Sequence, residues 1–166
     1  MKFLGVAILA LSLAAPGDAA ASDFQMRILA AHNGERAALG LPPLIWDDAL
    51  ASHAAKWARH LVQIGTLEHS ANEARPDEGE NLWMGTAGAY DAEDMVGGWS
   101  SEKRDFRRGV FPNVSASGSW HDVGHYTQMI WRNTTEVGCA VASGGGYDVL
   151  VCRYAPPGNF VGESPY

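Results

Sequence analysis

The sequence is poor in cysteine, in positive charge and in long apolar runs, and each shortage removes a class of function. Only two cysteines, Cys139 and Cys152, occur in 166 residues, so neither a cysteine-dense disulfide scaffold nor a four-cysteine zinc module can be built. Lysine and arginine together number 12 against 19 aspartates and glutamates, a net charge of −7. That balance argues against a nucleic-acid partner, whose phosphates would need basic side chains to neutralise them. The basic cluster of Lys103, Arg104, Arg107 and Arg108 has Asp105 inside it and reads as the solvated end of a helix. Neither H-E-x-x-H nor G-x-S-x-G occurs, so the helix-borne metalloprotease pair and the strained serine elbow are both missing.

The first segment belongs to targeting rather than to the fold. MKFLGVAILALSLAAPGDAAAS carries Lys2, an apolar stretch from Phe3 to Ala15, a Pro16-Gly17 break and an A-x-A site at Ala19 to Ala21, the pattern of a cleaved secretory signal. The expectation is a signal peptide over residues 1–21 and a single domain over 22–166, secreted to a periplasm or outside the cell. The apolar stretch is too short for a stable bilayer span, and no second one of membrane length follows. The chain is therefore expected not to span a membrane, with a monomer as the default state.

Along the mature chain, helical periodicity comes first and strand periodicity last. Asp23 is placed to cap a helix with Phe24, Ile28, Ala31 and Leu39 on its apolar face, ending at Gly40 before Pro42-Pro43. A second helix begins at Asp47 and carries the stripe Leu50, Ala54, Trp57, Ala58 and Leu61. The stretch LEHSANEARPDEGENLW reads as a polar loop, and a third helix is expected over 92–106. Residues 107–122 read as irregular surface. Strands are expected at 126–132, 137–143 and 147–154, so that helices surround a small antiparallel sheet in an α+β layered domain.

Export makes the cysteines disulfide candidates. A two-residue turn at Gly145-Gly146 would put Cys139 and Cys152 directly opposite each other, on a non-hydrogen-bonded rung where Cα atoms lie about 4.5 Å apart. A bridge there would add about 2–3 kcal/mol by closing a short loop; two free buried thiols are the alternative.

Two polar residues fall where apolar ones are expected. Met95, Trp99, Glu102 and Phe106 lie at helical spacing, so Glu102 either finds a buried partner or leans to the edge of the stripe and pairs with Arg104. In GHYTQMIWRN, His125 opens an alternating run with Thr127, Met129 and Trp131 on its face. A histidine there is a satisfied core residue or a ligand. His53 and His60 lie off the apolar face of the second helix and are expected to be solvated.

GHYTQMIWRNT, VLVCRYAPPGNFVGESPY, GENLW and AAHNGERAALGLPPLIWDDALASHAAKWA together resemble the CAP superfamily of cysteine-rich secretory proteins, antigen five and class-one pathogenesis-related proteins. The resemblance covers about residues 24–166 and matches both family signatures without a gap. It implies a three-layer α-β-α sandwich with a cavity lined by His69 of LEHS, Glu80 of GENL, Glu102 of WSSEK and His125 of GHYTQ. It also implies a divalent-metal site, zinc foremost, with His69 and His125 as ligands. Neutral imidazoles suit zinc, and a carboxylate accepting the other ring N–H fixes the tautomer. In the same family His32, Asn33 and Arg36 of AHNGER are expected to hold their helix to the sheet, and His121 is a weaker candidate as accessory ligand. Asn113-Val-Ser115 and Asn133-Thr-Thr135 are glycosylation sequons.

With only two cysteines and no cysteine-rich C-terminal extension, the chain resembles a compact single-domain member, so ion-channel regulation does not transfer. The expected function is a binding module in defence or host interaction. Its cavity would hold a divalent cation, and a sterol, another lipid or an extracellular protein is the expected partner. The alternative is a metal-dependent hydrolase with Glu80 or Glu102 as its catalytic base. A third reading makes the four residues a stabilising polar cluster, and fold alone does not choose among them.

Overall fold

A computed structural model of the chain describes residues 16–166, with side chains from Asp23 onward. The expected leader over residues 1–21 lies outside the described residues as far as residue 15. In chain order the elements are α1 (Pro16–Ala38), β1 (Ile45–Trp46), α2 (Asp48–Ile64), β2 (Gly79–Thr86), α3 (Ala92–Ser100), α4 (Gly124–Met129), β3 (Glu136–Gly144) and β4 (Tyr147–Ala155). The four strands form one sheet in the order β1-β3-β4-β2. Three are antiparallel, and the two-residue β1 adds in parallel beside β3.

The hairpin of β3 and β4 follows from its turn chemistry. Gly145 and Gly146 both take positive φ, 61° and 87°, which L side chains disfavour and which a tight turn matching the strand twist demands. The resulting register pairs Cys139 with Cys152. The two are joined by a disulfide with Cα atoms 4.1 Å apart, as the spacing predicts.

Alternation along these strands divides the interior in two. Val137, Cys139, Leu150, Cys152 and Tyr154 face one way and pack with Ile28 of α1, Met95, Val96 and Trp99 of α3, and Tyr126 and Met129 of α4. Val149 and Val151, with Leu82 of β2, face the other way and pack with Ala54, Ala58 and Leu61 of α2. Three layers result, α-β-α, because both faces of the sheet are apolar. Of the stripe expected on the second helix, Leu50, Ala54, Ala58 and Leu61 are buried, and Trp57 is partly buried against the same cluster. Asp47 caps α2 by accepting from Leu50 N at 2.7 Å, and Gly65 closes it in the left-handed region at φ 67°.

The AHNGER residues tie α1 to what it packs on. His32 is fully buried, with Nδ1 2.8 Å from Ile28 O and Nε2 2.8 Å from the Tyr154 hydroxyl on β4. Burial lowers its pKa to about 4, so it packs as a neutral ring. Asn33 donates to Leu44 O and accepts from Leu44 N. Arg36, 1% exposed, donates to the carbonyls of Pro42, Met129, Trp131 and Thr134 at 2.7–3.0 Å. Burial lowers its pKa to about 10, which leaves the guanidinium charged at neutral pH.

The structure corrects several expectations. The run expected as a strand at 126–132 holds no strand: it begins in the short helix α4, which ends at Met129. Every residue from Tyr126 to Trp131 is buried, so alternation does not mark an inner and an outer face, and a short fully buried run reads equally as helix or strand. The polar loop contains β2 instead: Glu80 and Asn81 are strand residues buried by hydrogen bonds. α3 stops at Ser100 and continues as a 3-10 turn over Ser101–Arg104, which carries Glu102 off the helical stripe. α1 is already helical at Pro16, so Asp23 lies inside the helix, in keeping with the alanine-rich sequence before it.

Gly138 is where α2 meets the sheet. A Cβ there would run into the backbone of Asp47, Leu50 and Ala51, and backbone at a helix start cannot step aside. Gly138→Ala is expected to lower unfolding stability by about 1–3 kcal/mol, read from urea denaturation; an unchanged midpoint would show that α2 is not seated on this strand.

Candidate functional site

The site gathers at the N-terminal end of β2, where the edge of the sheet gives way to loops. Consecutive β2 residues point to opposite faces, so Glu80 lies on the α2 side while Asn81 lies on the α4 side. His69 comes from the loop that follows α2, and His125 is the second residue of α4. A cavity of about 310 Å³ is lined by His69, Glu80, Asn81 and His125, with Trp120 and His121 among the residues closing it. His121 is exposed and stacks on Trp120 at 3.9 Å between centroids.

Each imidazole is held by a carboxylate on the nitrogen away from the remaining donor. His69 Nδ1 donates to Glu80 Oε1 at 2.7 Å, and His125 Nδ1 donates to Glu102 Oε1 at 2.6 Å. That arrangement puts the proton on Nδ1 and leaves the Nε2 lone pair of both rings for a ligand. The two carboxylates are themselves fully engaged. Glu102 accepts from His125 N and Tyr126 N, both at 3.0 Å, and so caps the start of α4. Glu80, with a side chain 1% exposed, accepts from Ser70 N at 3.0 Å and from the Ser70 hydroxyl at 2.9 Å, and forms an ion pair with Arg153, whose Nη2 lies 2.9 Å from Glu80 Oε2.

Of the four residues the sequence singles out, His69, Glu80 and His125 line the cavity, and Glu102 stands against His125 without lining it. Several others went unnoticed in the sequence. Asn81 donates to His125 O and to the Tyr154 hydroxyl, locking α4 to β4. Asn159, at φ 60°, donates to Gly124 O and accepts from the Thr127 hydroxyl, fixing α4 from the other side. Arg153 stands opposite Glu80 in the β2–β4 register. A lone arginine inside the apolar run VLVCRYA is a signal that could have found it, because a buried guanidinium needs an acid nearby.

The donor set fits a divalent cation held by nitrogen. Among the described residues no group of three or more His, Cys, Asp or Glu side chains comes together as metal ligands. A divalent cation at this site would have His69 Nε2 and His125 Nε2 as its nitrogen ligands, with water or a bound ligand completing the shell. When bound, such an ion supplies Lewis-acid character and a point of attachment for an anionic group.

A second concavity, about 560 Å³, opens at the outer side of β3 and is lined by Phe24, Trp46, Ala51, Val141 and their neighbours. It shares no residue with the His/Glu cavity. Among the described residues no helix is long and apolar enough to cross a membrane.

Burial alone would push the Glu80 carboxyl up, but the His69 N–H, Arg153 and both Ser70 donors outweigh it and hold its pKa below the ordinary 4.5. A depressed folded-state pKa adds stability that is present above pH 4.5 and is lost as the pH falls through the lower folded value. The stability gap between the natural protein and Glu80→Gln is thus expected to narrow as urea midpoints are measured from pH 6 down into the acid range. A gap that holds constant there would contradict this balance.

Comparison with known proteins agrees with this architecture. The cysteine-rich secretory protein family, CAP, matches residues 29–154. Pathogenesis-related protein 1A of Nicotiana tabacum is 40% identical over 167 residues, 99% of this chain and 94% of its own length. Pathogenesis-related protein PR-1 of Medicago truncatula is 37% identical over 145 residues, 86% of this chain and 79% of its own. Among solved structures, the crystal structure of NaASP2 with Zn2+ aligns with a TM-score of 0.74 at 23% identity, over 87% of this chain and 85% of that one. Schistosoma mansoni venom allergen-like protein 4 aligns with a TM-score of 0.66 at 23% identity, over 87% and 94%. At these identities the solved structures speak for the fold alone. A family match across most of the chain, together with relatives that align over nearly its whole length, places this chain in the cysteine-rich secretory protein (CAP) family.

Proposed function

We propose that the protein is an exported binding module whose His69/His125 cavity takes a divalent cation, zinc foremost, in a defence or host-interaction role. The observation that carries this reading is the pair of carboxylate-fixed imidazoles lining one cavity. In both rings Nδ1 is the nitrogen held by a carboxylate, which leaves Nε2 as the nitrogen available to a ligand. The names of the relatives, pathogenesis-related proteins of plants, support the defence role, and a neighbour of the same fold crystallised with Zn2+ supports the choice of metal. The signal-like first 21 residues and the secretory family support export.

Hydrolysis finds less support in the geometry. A general base must be free to take a proton from a bound water, and each carboxylate is already occupied by three or more donors. A sterol or other lipid would use the groove beside β3, where Phe24, Trp46 and Val141 contribute to the lining, rather than the His/Glu cavity.

Protein purified without added metal and then equilibrated with zinc is expected to hold a single zinc per chain. In the His69→Ala, His125→Ala double variant the affinity should fall by more than about 100-fold. Metal analysis and competition with a chromophoric chelator read both, and equal, negligible zinc in the two proteins would sink the proposal.

A further inference from the structure

Arg153 lies near the C-terminal end of β4, where its neighbours Val151, Cys152 and Tyr154 are fully buried. Its own side chain is 4% exposed, and its Nε finds no hydrogen-bond partner among the described residues. A guanidinium so placed is costly unless carboxylates surround it. Two do. Nη1 reaches Glu78 Oε2 at 3.1 Å, and Nη2 reaches Glu80 Oε2 at 2.9 Å and the Ser70 hydroxyl at 3.1 Å. Glu78 in turn accepts from His53 Nδ1 on α2 at 2.6 Å. A continuous polar chain therefore runs from His53 through Glu78, Arg153 and Glu80 to His69.

The geometry points to Arg153 as a positioning residue for His69: its fork takes one oxygen of Glu80 and turns the other onto His69 Nδ1, so that His69 Nε2 stays directed at the cavity. The inference rests on the reading of the cavity as a cation site. The chemistry is particular to arginine, since one planar fork bridges Glu78 and Glu80 together where a lysine would supply a single point charge. The His125 arm needs no such device. There the backbone N–H groups of His125 and Tyr126 hold Glu102 in place. The influence of Arg153 is therefore confined to one of the two ligands.

That confinement makes the test. Zinc affinity is measured by chelator competition for Arg153→Lys in three backgrounds: natural, His69→Ala and His125→Ala. The loss should be about tenfold, the usual cost of disturbing an outer-shell partner, in the natural and His125→Ala proteins, and absent in His69→Ala. An equal loss in all three, or none in any, overturns the inference.

Should Arg153→Lys fail to fold, Arg153→Met combined with Glu80→Gln removes one charge of each sign and leaves the net charge of the cluster unchanged. Its zinc affinity must then match that of Glu80→Gln alone, and an additional loss overturns the inference. If the natural protein binds no zinc, the proposed function falls while this inference is still read from ring nitrogen NMR of the metal-free protein. Arg153→Lys should move His69 away from its Nδ1–H form and leave His125 unchanged, and an unmoved His69 refutes it.

Discussion

The register of the β3–β4 hairpin governs the rest of the molecule. Because side chains alternate along a strand, a slip of one residue would exchange the two faces of the sheet. Val137, Cys139, Leu150 and Tyr154 would leave the α1/α3/α4 core, and Val149 and Val151 would leave the α2 core. The same slip would carry Arg153 from beside Glu80 to the opposite face. Two devices hold the register: a Gly-Gly turn that admits positive φ at both positions, and a disulfide that joins Cys139 to Cys152 across the rung. The chemistry at the far end of the sheet thus depends on a turn that takes no part in it.

The cavity is possible because β2 is an edge strand that is covered on both faces. Edge strands expose backbone and are usually shielded; here α4 and the loop after α2 close over the N-terminal end of β2 and leave a polar hollow between them. Buried polar groups crowd that end, including Ser70, Glu80, Asn81, Gln128 and Arg153. Nearly all of them are satisfied by one another, which holds the imidazoles in fixed positions and makes the hollow preorganised.

The two imidazole arms reach the same end by unlike means. Glu102 is an N-terminal cap for α4 that doubles as the acceptor for His125, so backbone amides supply its stabilisation. Glu80 is buried in the sheet and draws on a guanidinium and a serine. One arm is anchored in a loop and a short helix, the other in the rigid β2–β4 ladder. A cation between His69 and His125 would therefore bridge elements from both sides of the sheet.

Much of this was legible in the residues. The α2 stripe, the hairpin, the cysteine pairing and the layered α+β class follow from periodicity and turn chemistry, which act between near neighbours in the chain. The roles of His32, Asn33 and Arg36 and the choice of the four candidate site residues came through family resemblance, since no local pattern joins His69 to His125. What escaped was governed by tertiary burial. GHYTQM alternates like a strand yet forms α4, because burial on all sides removes the contrast that separates the two periods. GENLW looks like a loop yet forms β2, because its polar side chains are hydrogen-bonded inside the protein rather than solvated. By itself the sequence determined the buried stripe of α2 and the β3–β4 hairpin with its cysteine pair; only the folded chain decided that Arg153, Glu80 and His69 would meet, because contacts between residues so far apart in sequence are set by sheet register and burial.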